Sequence, residues 1–175
     1  MSDRYFIDYS LKNGLGNPSI DLYLKGCDKP VKCKNCHNPE LQEKPTDHFK
    51  FKNIRKEIDN QIKEFKNYHD QLYITYLGGE PLTSYNLGIT FVISQHIKFK
   101  YKNAYNILYS WRTIEQIKKE GIQKSLRYID YGILGAYKKE LHQENMLPVS
   151  SNQYIYDFNK DKKIKPIKLY SRKDD

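Results

Sequence analysis

The apolar residues of this chain change period repeatedly, and that alternation limits the fold more than any other feature. Ile20-Asp21-Leu22-Tyr23-Leu24 alternates at period two and predicts a strand running into Gly26 and Cys27. From Asn53 to about Asn67, the residues Ile54, Ile58, Ile62 and Phe65 recur at helical spacing, with Lys and Glu between them. Gln71 to Leu77 is β-rich again and stops at Gly78-Gly79. A second helix is expected from about Ser84 to Lys98, with Leu87, Phe91 and Val92 facing inward, followed by a strand over Tyr105 to Tyr109. Thr113 and Gln116 fit a capping box for a short helix that ends before Gly121. Tyr128 to Ile133 and Gln153 to Phe158 read as further strands. Alternation of this kind implies an α/β fold, a mainly parallel sheet with helices outside. In such sheets ligands gather at the carboxyl ends of the strands, where Cys27 and Gly78 both fall.

A chain of 175 residues suffices for one such domain. We place it at residues 1–158, followed by a basic tail at 159–175. Charge and missing periodicity in the tail point to a mobile end, although Ile164, Ile167 and Leu169 could pack a last strand. No apolar run approaches the ~20 residues of a membrane span. Met1-Ser2-Asp3-Arg4 lacks the basic-then-apolar order of a signal peptide, so a cytoplasmic location is expected.

The three cysteines, Cys27, Cys33 and Cys36, lie within one short segment and are spaced C-x5-C-x2-C. An odd number so tightly grouped is a poor disulfide framework and reads as a metal site in a reducing compartment. Three thiolates can ligate three irons of a [4Fe–4S] cubane and leave the fourth open to a substrate. They can also bind zinc together with His37 or His48. The spacing leaves both open.

Leu77-Gly78-Gly79-Glu80-Pro81-Leu82 follows a strand directly. Two glycines allow close backbone approach to a ligand, and Glu80 offers acceptors to a cation such as the ammonium group of an amino acid. The same residues could form an ordinary turn.

Taken together, these segments resemble the radical S-adenosylmethionine superfamily, and within it the activating proteins of anaerobic (class III) ribonucleotide reductases. Four segments carry the resemblance: Asn13-Gly14-Leu15-Gly16, then Leu24-Lys25-Gly26-Cys27 through Cys36-His37-Asn38-Pro39-Glu40, then Gly78 to Leu82. The fourth is Asp130-Tyr131 and Gly135-Ala136-Tyr137 with Ser150-Ser151-Asn152-Gln153. The likeness covers roughly residues 5 to 158.

It implies a partial (βα) barrel and an enzyme in which a reduced cluster cleaves S-adenosylmethionine to a 5′-deoxyadenosyl radical. Cys27, Cys33 and Cys36 would then ligate the cluster and serve catalysis. Gly78, Gly79 and Glu80 would hold the methionine end of the cofactor, with Ser110 and Arg112 as further contacts. A glycyl-radical enzyme, an anaerobic ribonucleotide reductase, would be the protein substrate, and flavodoxin or ferredoxin the electron donor. About 150 residues leave little chain for a lid, which favours a large docking partner over a small substrate.

Two departures stand out. The family's spacing is C-x3-C-x2-C, so the first gap here holds two extra residues, and Ser110-Trp111-Arg112 stands where the family often has Thr-Gly. Both are compatible with a radical enzyme acting on a different peptide or nucleotide. The formal charge of +9 is concentrated in Lys25 to Lys34 and the tail. Lys25, Lys29, Lys32 and Lys34 could steer a partner or simply solvate the loop. A zinc-binding module that contacts nucleic acid is the remaining class. Aromatics at 14% would supply stacking platforms, but most fall at core or strand positions, which argues against nucleic acid.

Overall fold

The computed structural model describes residues 4–46 and 50–169. In chain order it holds β1 (Tyr5–Gly14), β2 (Asn17–Leu24), α1 (Phe51–Phe65), β3 (Leu72–Gly78), α2 (Leu87–Lys100), β4 (Ala104–Ser110) and α3 (Ile114–Lys119). The short strands β5 (Tyr131–Leu134), β6 (Met146–Leu147), β7 (Tyr154–Asp157), β8 (Lys162–Ile164) and β9 (Ile167–Lys168) follow. Seven strands form one sheet in the order β1-β2-β3-β4-β5-β7-β8, and β6 pairs with β9 separately.

The fold is mixed α/β. Its centre, β2 to β5, is parallel, as strand–helix alternation requires. The outer pairings β1–β2, β5–β7 and β7–β8 are antiparallel. β1 was not foreseen, because only its β2 partner carries a buried alternating face: Tyr9 and Leu11 of β1 are 45% and 71% exposed.

Helix α1 forms where the 3.6 period predicted it, and Ile54, Ile58 and Ile62 are fully buried. They pack on Ile20, Leu22, Leu24, Ile74 and Tyr76, which alternate toward the helical face of the sheet. A smaller cluster of Ile107, Ile133, Leu147, Ile155 and Leu169 covers part of the opposite face.

The expected inward face of α2 is corrected by the structure. Ile89, Ile93 and Ile97 are fully buried, with Thr90 and Ser94; Leu87 is half-buried but packs against this core as expected, whereas Phe91 and Val92 are half-buried and lie off it. Phe91 instead meets the Tyr128 ring, with centroids 5.6 Å apart, and the Arg127 guanidinium. Apolar residues surround most of this helix, so spacing alone could not choose a face. Thr90 helps set it by donating to the Pro81 carbonyl at 2.9 Å, which ties the helix to the glycine turn. The capping box at Thr113 and Gln116 is present. Past Phe158 the chain continues to pack, through β8 on β7 and β9 on β6, as far as the buried Leu169.

Candidate metal centre

Strand pairing brings the two principal motifs together. β2 and β3 are parallel, with Leu24 opposite Gly78, so the segment leaving β2 runs beside the turn leaving β3. Backbone bonds fasten them: Gly79 N–H donates to Leu24 O at 2.8 Å and Glu80 N–H to Gly26 O at 2.7 Å. Asn86 Nδ2 bridges the Lys25 and Glu80 carbonyls at 3.0 Å each.

The glycines are needed for this contact. Gly78 has φ +113°, and a Cβ there would lie 2.7 Å from both Leu24 N and Leu24 O. A Cβ on Gly79 would fall inside contact distance of the Gly26 and Leu41 carbonyls. Bare backbone in this turn therefore lets the cysteine segment dock, while the other side of both glycines lines a cavity of about 530 Å³. Cys33, Cys36, Glu80, Ser110 and Trp111 share that lining with Tyr109, Tyr137 and Gln153. Cys27 and Arg112 lie outside it.

All three cysteines are free and half-buried, on a segment without regular structure. Burial pushes the Cys27 and Cys33 thiols up, opposed at Cys27 by the Lys29 backbone N–H and the Lys32 charge. Lys29 and Lys32 fold back onto the Val31 and Cys27 carbonyls. His37 also lines the cavity, its ring 5.1 Å from that of Tyr137. His48 lies outside the described residues. Among the described residues no three His, Cys, Asp or Glu side chains converge to hold a single metal ion. A cubane spreads three thiolates more widely than one ion does. Three soft thiol donors on one segment, two of them lining the open cavity, fit such a cluster in chemistry.

Glu80 is 1% exposed. It accepts from Ser110 Oγ at 2.9 and 3.0 Å, Leu82 N–H at 3.0 Å and Trp111 N–H at 3.0 Å, with Arg112 Nη1 at 3.6 Å. Burial pushes its carboxyl up to about 7, against the opposing pull of Arg112 and these donors. Ser110 thus acts on Glu80 at the cavity wall.

Arg112 is directed elsewhere. It makes a bidentate pair with Asp28, at 3.0 Å (Nη1–Oδ1) and 2.6 Å (Nη2–Oδ2), and bonds Glu120 through Nε at 2.8 Å. Burial works against its charge, but Asp28, Glu80 and Glu120 outweigh burial and hold it protonated. Sequence reasoning passed over Asp28, whose only signal was an acidic residue inside a lysine-rich segment.

The remaining motifs shape the cavity walls. Asn13 lines it and donates to the buried Asp21 at 2.5 Å, while its carbonyl accepts from Tyr109 OH at 2.8 Å. Gln153 Nε2 donates to Gly135 O at 2.8 Å and Asn152 Nδ2 to Ala136 O at 2.7 Å. Ser150 Oγ donates to Lys138 O at 3.0 Å, so the Ser-Ser-Asn-Gln segment braces the strip that carries Tyr137.

No helix among the described residues is long and apolar enough to cross a membrane. Neither the curated proteins nor the solved structures include a significant match to the sequence. The profile of one family, described as a 4Fe-4S single cluster domain, matches residues 13–156, a span that holds all three cysteines, the glycine turn and the closing motif. This favours iron–sulfur over zinc at the thiol segment, and the chain belongs to the 4Fe-4S single cluster domain family.

Proposed function

We propose that this chain is a radical S-adenosylmethionine enzyme whose most fitting target is the backbone glycine of an anaerobic ribonucleotide reductase. The observation that carries it is convergence. Cys33, Cys36, Gly78, Gly79, Glu80, Ser110 and Gln153, from four separate stretches of sequence, line one cavity at the ends of the parallel strands. In this proposal the parallel core forms part of a (βα) barrel and the cavity lies on its inner face.

When bound, the cluster would supply one-electron reductive cleavage of S-adenosylmethionine and, through it, hydrogen-atom abstraction from the target. Cys27, Cys33 and Cys36 hold the cluster. Gly78 and Gly79 leave main chain bare at the wall, and Glu80 presents a carboxylate to the cofactor's ammonium group. Ser110 Oγ and Trp111 N–H fix the orientation of that carboxylate. Tyr109, Trp111 and Tyr137 supply apolar surface that limits water. The electron donor would be a carrier of the flavodoxin or ferredoxin kind.

Anaerobic reconstitution with iron and sulfide, reduction, and assay for 5′-deoxyadenosine tests the proposal. Formation of that product in cluster-loaded protein is expected. Full cluster loading with no product overturns it. Trp111 in the cavity wall favours a second target class, another peptide or a nucleotide. Cofactor cleavage without a glycyl radical signal on an added ribonucleotide reductase would select that reading.

A further inference from the structure

The tripeptide Ser110-Trp111-Arg112 closes β4 and reaches both motifs. Ser110 and the Trp111 backbone hold Glu80, while the Arg112 guanidinium and the Trp111 indole hold Asp28, the indole Nε1 donating at 3.2 Å. Asp28 directly follows Cys27. Within the gap to Cys33, Lys29 and Lys32 bond inside the loop and Val31 is 75% exposed. Among the described residues, Asp28 carries the side-chain bonds from this stretch to the sheet.

We propose that Asp28 and Arg112 are positioning residues, whose bidentate pair holds Cys27, and the iron it ligates, in register with the glycine turn. This rests on the cysteines holding the cluster. A longer first gap leaves the first thiolate less constrained by its neighbours. A planar guanidinium, with a side chain 6% exposed and its Nε fixed on Glu120, restores a fixed point one peptide from the sulfur. Arg112 thereby acts through Asp28 and lies outside the cavity.

The test uses anaerobically reconstituted full-length protein and its Asp28→Asn, Arg112→Gln and doubly substituted variants. Iron release to a chelator should be about tenfold faster in each single variant, the lower end of the usual cost of losing a group that orients a ligand. The double variant should release no faster than either single one, because the same contact is lost. The cluster midpoint potential should rise in Asp28→Asn, which removes a negative charge, and fall in Arg112→Gln, which removes a positive one. Shifts of the same sign in both variants would overturn the placement of this charge pair beside the cluster. Unchanged release in Asp28→Asn, or additive effects in the double variant, overturns the proposal. If Arg112→Gln is insoluble, Asp28→Asn decides alone. Wild-type protein that takes up no iron would overturn the cluster assignment and the proposal with it.

Discussion

Replacing Glu80 with Gln tests whether the carboxyl at the cavity wall is held in a state far from water. Burial raises it from 4.5 to about 7. At about 1.4 kcal/mol per unit that rise is worth about 3 kcal/mol between the two protonation states. The folded state binds this proton more tightly than the unfolded chain, so its contribution is fully present below pH 4.5. It is lost as the pH rises through about 7. For a domain of this size that corresponds to roughly 6–12 °C in melting temperature. Gln cannot titrate, but its amide nitrogen leaves the Trp111 N–H without an acceptor, at about 1–3 kcal/mol. The metal-free variant should therefore be less stable than wild type at pH 5, with the gap closing or reversing by pH 8. Taking the difference between the two proteins in urea denaturation at each pH removes the contributions of Asp21, Asp28 and Asp59. A gap constant from pH 5 to 8 would show that Arg112 and the three donors, Ser110 Oγ, Leu82 N–H and Trp111 N–H, keep Glu80 ionised throughout, and would refute the assignment of a raised carboxyl.

Three further outcomes follow from packing. Gly79→Ala must push apart the Gly26 and Leu41 carbonyls and should lower stability by about 1–3 kcal/mol in calorimetry. Gly88→Ala, in α2 with nothing within 4 Å of the added Cβ, should stabilise by up to about 1 kcal/mol. Ile93→Ala should cost about 2–5 kcal/mol and Phe91→Ala distinctly less. The reverse order would restore the inward face that spacing suggested.

Much of the architecture could be read from the sequence, because local chemistry specifies it. Ile54, Ile58 and Ile62 fix a helix and its buried stripe through period alone, and the Thr113–Gln116 capping box is a contact between near neighbours in the chain. The strands before Cys27 and Gly78 were visible for the same reason, and the strand–helix order placed both at one edge of a parallel core. Three thiols in one segment limited the centre to a soft-metal site, whose iron–sulfur nature the family match supports.

Tertiary structure decided what depends on partners distant in sequence. The α2 face was settled by which isoleucines the sheet and α1 could cover, since its apolar residues offered several stripes of similar spacing. The antiparallel outer strands depend on β1, β7 and β8 finding edges, which short or exposed patterns do not announce. Asp28 and Arg112 are 84 residues apart, and only the closeness of the β2 and β4 ends makes them a pair. Glu80 shows the division most clearly. Its position in a glycine turn is a property of the sequence, whereas its raised proton affinity comes from burial among Ser110, Trp111 and Arg112, which only folding brings to it.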